Sequence, residues 1–231
     1  MQRRLLVLAL SVVLLSGCST VKGWMGVFGS KNKKDYEPAE LVAVANPIAV
    51  QRLWSTGIGG GEDRLWLRQH PVVDGGRVYV VNDNGQAMAF DAGSGAQVWE
   101  AQAVDLSKKG SKWKFWSREV AETGLTSSPG VGNGMVVVGG RNGEVIALAA
   151  DTGSQRWTAK VSSEVLSAPL VLPDRVIVRS NDGRVYGFDP NDGTRKWVFD
   201  RGLPTLTVRG NASPVYASGL VYIGYDDGSV V

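Results

Sequence analysis

Gly95-Ala96-Gln97-Val98-Trp99, Gly153-Ser154-Gln155-Arg156-Trp157 and Gly193-Thr194-Arg195-Lys196-Trp197 place a glycine four residues before a tryptophan three times in one chain. Working outward, each pair belongs to a unit of fixed length. Pro71, Pro129, Pro169 and Pro214 each stand 14 residues before a turn glycine, namely Gly85, Gly143, Gly183 and Gly228. The first three of these glycines stand a further 14 residues before Trp99, Trp157 and Trp197. Self-similarity at such a period marks a repeat architecture, in which stacked units share a continuous core.

Within each unit the short runs Arg77–Val81, Met135–Val138, Arg175–Arg179 and Leu220–Ile223 are rich in Val, Ile and Tyr, which favours strand. Asn84-Gly85, Asn142-Gly143, Asp182-Gly183 and Asp227-Gly228 follow them. Such pairs supply the positive φ angles that tight hairpins need. Third strands are expected over Ala87–Asp91, Val145–Ala149 and Val185–Asp189, and a fourth strand carries each tryptophan. The expected fold is all-β, a β-propeller of four-stranded antiparallel blades spanning residues 46–231. Trp54, Trp99, Trp157 and Trp197 are the expected blade-packing residues, one per unit, rather than the lining of a ligand site. Pro47–Trp54 reads as a lone fourth strand of the kind that closes a ring. The spacing places the next tryptophan beyond Val231, so three full blades and part of a fourth are expected.

The amino terminus reads as an address. Arg3-Arg4 precede the apolar run Leu5–Leu15, and Ser16-Gly17-Cys18 follow. This is the charged, apolar and small-residue order of a signal segment, here residues 1–17. The run is shorter than the ~20 residues a permanent membrane helix requires. Leu15-Ser16-Gly17-Cys18 resembles a bacterial lipobox, which implies lipid (palmitate) attachment at Cys18, the only cysteine in the chain. Ser19 follows where inner-membrane retention signals usually carry Asp, and by that resemblance the destination is the outer membrane. Residues 18–45, with Lys31, Lys33 and Lys34 among Gly, Ser and Asn, read as a flexible tether.

Composition narrows the function. One cysteine and one histidine leave no material for a disulfide framework or a Cys/His zinc cluster. No metal or cofactor is expected. His70, next to Pro71 at the start of a strand, reads as a packed or capping ring. The net charge is +3, two of it from Arg3 and Arg4, so a nucleic-acid partner gains little support. Gly57-x-Gly59-Gly60-Gly61 precedes no helix and reads as a connection rather than a dinucleotide loop.

Length varies only between a tryptophan and the next proline, in connections of 17, 30, 12 and 17 residues. Strand alternation puts these on the same face as the turns between second and third strands, and variable loops on rigid scaffolds carry function. Ala101–Thr123 holds Lys108, Lys109, Lys112, Trp113, Lys114, Phe115, Trp116 and Arg118, a set suited to a partner or to packing back on its blade. In Leu203–Gly210, Leu206 and Val208 point one way if extended, with Arg209 opposite or at a turn. Apolar side chains beside an arginine suit a protein-binding edge, and inward packing is the alternative.

Together the lipobox, the blades and Pro204-x-Leu206-x-Val208-Arg209-Gly210 resemble the BamB family, the propeller lipoproteins of the outer-membrane β-barrel assembly machinery. The resemblance covers essentially the whole chain. It implies an eight-bladed ring, a periplasm-facing lipid anchor, and a non-enzymatic scaffold that docks on BamA and assists outer-membrane protein folding and insertion. Unfolded outer-membrane proteins would be its clients. Family residues that contact BamA carry over to Leu206, Val208 and Arg209, with Val208 standing where leucine is more familiar. Blades of this pattern also resemble pyrroloquinoline-quinone dehydrogenases, which would make the protein an enzyme. A generic periplasmic binding propeller is the third reading.

Overall fold

Each tryptophan lies on the last strand of a four-stranded antiparallel sheet, so the sequence unit and the sheet coincide. The computed structural model describes residues 48–59, 67–82, 84–104, 124–202 and 212–231. The first blade consists of β1 (Val72–Asp74), β2 (Arg77–Val81), β3 (Gln86–Asp91) and β4 (Gln97–Gln102), paired in sequence order. The second has β5 (Gly130–Gly132), β6 (Met135–Gly139), β7 (Glu144–Ala149) and β8 (Gln155–Lys160). The third has β9 (Leu170–Val171), β10 (Val176–Arg179), β11 (Val185–Phe188) and β12 (Arg195–Phe199). A fourth sheet holds β13 (Val215–Ala217) and β14 (Leu220–Tyr222), followed by a bridge between Gly224 and Val230. The first strands β1, β5 and β9 lie side by side, which puts the tryptophan strands at the opposite edge of each sheet.

The core lies between sheets. Val136, Val138, Ile146 and Leu148 face the first blade, where they meet Tyr79, Val81, Ala89 and Trp99. Their neighbours Met135, Val137, Val145 and Ala147 face the third blade and meet Val171, Val176, Val178 and Phe188. Alternation with period two, apolar on both phases, is what a sheet covered on both faces requires. Burying each large apolar side chain contributes roughly 1.5–3 kcal/mol.

Turn chemistry follows the sequence. Gly85, Gly143, Gly183 and Gly228 have φ of 78°, 81°, 83° and 80°. A feature absent from the sequence reading is a register shift at the same place in every blade, between Ala89/Phe90, Ala147/Leu148 and Gly187/Phe188. Each shift falls beside the residue paired with the tryptophan, and such bulges bend and twist the strand.

One expectation is corrected. Residues 48–54 form no strand, because a strand is defined by a hydrogen-bonded ladder and no described residue supplies one to this segment. Trp54 nevertheless takes the tryptophan position: its Nε1 donates to Ala92 O at 2.9 Å. The expected signal segment, residues 1–17, and the whole of the tether, residues 18–45, lie outside the described residues.

Candidate partner-docking face

The tryptophans are positioned by a rule that couples neighbouring units. Trp99 Nε1 donates to Ala150 O and Trp157 Nε1 to Pro190 O, both at 2.9 Å. Each acceptor lies in the last turn of the following blade. A Cβ at Gly95 would lie 2.5 Å from the Trp54 indole, and at Gly153 and Gly193 2.6 Å from those of Trp99 and Trp157. Only glycine admits the ring, and these three also hold φ near +73°. Trp197 differs. No fourth Gly-x-x-x-Trp turn falls within residues 1–231, and its indole lies against Gly187 of its own blade, 39% exposed.

His70 has a structural part. Its backbone N–H donates to Ser128 Oγ at 3.0 Å, and its Nδ1 lies 2.9 Å from the same oxygen. The matching link recurs later, where Ala168 N–H donates to Ser213 Oγ at 3.1 Å. The residues before Pro71 and Pro129 are thus joined to each other, as are those before Pro169 and Pro214, which ties neighbouring sheets at these two places. Among the described residues no group of three or more His, Cys, Asp or Glu is placed to hold a metal ion.

The connections leave from the face carrying the turns between second and third strands. Ala103 N–H donates to Gly85 O and Val161 N–H to Gly143 O, at 2.9 and 2.8 Å. In the third blade this face becomes a charged rim. Arg184 follows the turn glycine and bridges two carboxylates, with Nη1 2.9 Å from Asp182 and Nε 2.7 Å from Asp200. Asp182 also accepts from the hydroxyls of Ser162 and Ser180, and Tyr186 donates to Ser162 Oγ at 2.7 Å. Burial works to raise the Asp182 carboxyl, but the Ser162, Ser180 and Arg184 bonds outweigh it and hold it below its ordinary value. The Arg184 guanidinium, then the Gly202 N–H, lower Asp200. That N–H donates to Asp200 Oδ1 at 2.9 Å.

Arg201 continues the rim into the fourth sheet. It pairs with Asp227 at 2.9 Å and donates to Ser229. Its guanidinium lies 4.9 Å from the centre of the Tyr225 ring, and that of Arg179 lies 4.6 Å from the same centre. Arg179 is 1% exposed and donates through Nη1 to Gly224 O at 2.6 Å and to Ala212 O at 3.4 Å, while its Nε has no hydrogen-bond partner among the described residues. Burial pushes its guanidinium below its ordinary value, against the pull of Tyr225 and Asp226. A face of Tyr offered to a desolvated cation offsets part of that cost.

Residues 200–202 and 212 therefore flank the connection that carries the expected partner residues, and both flanks are fixed by named bonds. Leu206, Val208 and Arg209 themselves, Cys18, and the Lys/Trp-rich stretch from 105 to 123 lie outside the described residues. The sequence reading missed Arg179, Arg184, Arg201 and Tyr225. Alignment of the units held the signal: Arg179 occupies a column otherwise filled by Val81, Gly139 and Gly224.

Comparison with known proteins matches this architecture. A family profile described as outer membrane protein assembly factor BamB covers residues 102–231. A second, described as the β-propeller domain of glucose/ethanol/alcohol dehydrogenases, covers residues 24–158. The chain is 42% identical over 230 residues to the outer membrane protein assembly factor BamB of Xanthomonas campestris pv. campestris, spanning 100% of this chain and 55% of that protein. With the BamB of Salmonella typhimurium the identity is 32% over 232 residues, again 100% and 55%. The chain thus spans about half the length of the curated relatives it matches. The crystal structure of BamB from Moraxella catarrhalis superposes with a TM-score of 0.59 at 26% identity, over 72% of this chain and 45% of that one.

Proposed function

This chain belongs to the family of the outer membrane protein assembly factor BamB, and from that premise we propose that it is a non-enzymatic scaffold of the outer-membrane β-barrel assembly complex. Its 42% identity with the Xanthomonas factor over 230 residues is the observation that carries the reading. In this reading lipid on Cys18 anchors the protein to the outer membrane, with the propeller facing the periplasm. The blades are the rigid support, and the rim of the third blade presents residues 203–211 to BamA. Leu206 and Val208 supply apolar contact and Arg209 a charged one. Interfaces of this kind place most of their energy in a few such residues. Outer-membrane proteins in transit are the clients of the assembled complex.

The rim supports this assignment because it fixes the ends of the connection. Preorganising a loop in its bound conformation removes part of the ordering cost of association. The test is co-purification of BamA with the full-length protein carrying Arg209→Glu. Capture is expected to fall by tenfold or more (about 1.4 kcal/mol or more) with an unchanged unfolding midpoint. Undiminished capture would remove Arg209 from the interface.

A further inference from the structure

The interface between the first and second blades departs from the next one in ways that packing does not require. Arg77 and Tyr79 of β2 face the second blade from the positions at which Met135 and Val137 of β6, both fully buried, face the third. Arg77 Nη1 and the Tyr79 hydroxyl donate to Ala150 O, at 2.7 and 3.3 Å, the carbonyl that Trp99 already uses. Beside that carbonyl opens a cleft of about 390 Å³, lined by Gly75, Arg77, Tyr79, Gly134, Asp151 and Arg156. Arg156 sits on β8 next to Trp157. It is the residue that the register shift between Ala147 and Leu148 leaves without a cross-strand partner, and its side chain lines this cleft.

The repeat supplies the control. In the third blade the counterpart of Arg156 is Lys196, paired with Asp189 at 3.0 Å; eight residues before Trp157 the second blade has Ala149 instead. The counterpart of Arg77 is Arg175, paired with its neighbour Asp174; the residue before Arg77 is Gly76. Both cations of the cleft thus lack the carboxylate that the repeat provides elsewhere. Arg77 spends one N–H on a carbonyl, and Arg156 has no hydrogen-bond or ion-pair partner among the described residues. A Cβ at Gly75 or Gly134 would meet nothing within 4 Å, so the mouth is open.

We propose that this cleft is a binding site for a carboxylate carried by a peptide, held between the guanidiniums of Arg77 and Arg156. Planar guanidinium forks match carboxylates in charge and geometry. The Tyr79 ring is the apolar wall, and Asp151 accepts an N–H or ammonium from the same peptide. Small-ligand pockets run from about 300 to 1,000 Å³, so the cleft takes one or two residues and not a folded domain. The cleft shares no residue with 203–211, and its reading does not depend on the partner assigned there.

The experiment is fluorescence polarisation with the full-length protein and hexapeptides of Gly, Ser and Tyr labelled with a neutral boron-dipyrromethene dye. One has a free C-terminal carboxylate, one is amidated, and one is amidated with a central Glu. The free acid, the Glu peptide or both are expected to bind, which identifies the carboxylate as terminal or side-chain. The amidated peptide without Glu binds at least about tenfold more weakly. Arg156→Glu, on an exposed position, weakens binding by at least about tenfold. Arg77→Met, which supplies the residue type of the next interface, does the same without lowering the unfolding midpoint. The proposal is overturned if no carboxylate peptide binds, if amidation and Arg156→Glu leave binding unchanged, or if inorganic phosphate displaces the peptide far better than acetate does.

Discussion

The indole of Trp99 rests on Gly153 of the following blade, so closely that a Cβ at that glycine would lie 2.6 Å from Cε3. The same contact joins Trp54 to Gly95 and Trp157 to Gly193. The two ends of the Gly-x-x-x-Trp motif therefore do not serve each other. The glycine of one unit receives the tryptophan of the unit before it, and the motif is a coupling between blades written within each blade.

Glycine at 153 is required twice, by φ of +72° and by the indole. Gly134 has φ of +68° but open space where a Cβ would stand. Gly134→Ala is expected to cost about 1 kcal/mol from backbone strain alone. Gly153→Ala adds overpacking and is expected to cost about 2–4 kcal/mol. Urea unfolding of the full-length protein, followed by tryptophan fluorescence, gives both values. Equal losses would show that the indole moves aside without cost.

The tryptophan N–H bonds are not equivalent. Pro190 O receives Trp157 Nε1, whereas Ala150 O receives Trp99 together with Arg77 and Tyr79. Replacement by Phe keeps most of the apolar area and removes the donor. Trp157→Phe is expected to cost more than Trp99→Phe by about 1 kcal/mol, because Ala150 O keeps two donors. The same unfolding experiment decides it, and the reverse order would refute this account of the bond.

Much of the blade was legible because turn residues and strand residues are chosen by local physics. Asn-Gly and Asp-Gly fixed the hairpins, and second strands predicted at Arg77–Val81 and Met135–Val138 end within one residue of those observed. The partner of each tryptophan was not legible, because a contact between Trp99 and Gly153 depends on how sheets stack. The bulge opposite each tryptophan is likewise a property of pairing, which leaves no mark on the sequence of β3 or β7. The segment before Trp54 shows the opposite case, since a strand-like pattern makes no strand where no described residue pairs with it. At the rim of the third blade, Arg184 was hidden as an ordinary charged residue after a turn, and only its contacts with Asp182 and Asp200 give it a role.

Acid should loosen this rim. The carboxyls of Asp182, Asp200 and Asp227 are all held below their ordinary value in the folded protein. A group depressed in this way stabilises the native state above its unfolded pKa, about 3.9, and loses that contribution as pH falls through the folded value. Stability is therefore expected to hold from neutral pH to about pH 4 and to decline below it. Asp182→Asn should lower stability at pH 7 and flatten the decline in urea midpoints measured from pH 5 to pH 2. An unchanged slope would mean that Asp182 titrates alike in both states.

Arg184 separates a fixed rim from a stable fold. Its two ion pairs are solvent-accessible, and such pairs contribute at most about 1 kcal/mol to stability. Its position has more consequence than its energy. Asp200, which Arg184 holds by a 2.7 Å bond, in turn accepts from Gly202 N–H, the last described residue before the connection that carries Leu206, Val208 and Arg209. Arg184→Ala frees Asp200 and with it Gly202, so in the proposed docking the cost appears on binding as added ordering of that flank. Arg184→Ala in the full-length protein should therefore leave the thermal midpoint within about 2–4 °C of the parent, as a loss of up to 1 kcal/mol implies. It should weaken BamA capture several-fold, mainly through slower association of a less ordered loop. Arg184→Lys, which keeps charge but cannot bridge Asp182 and Asp200 with one planar fork, should fall between the two. Capture equal to the parent in both variants would show that residues 203–211 are ordered without the rim.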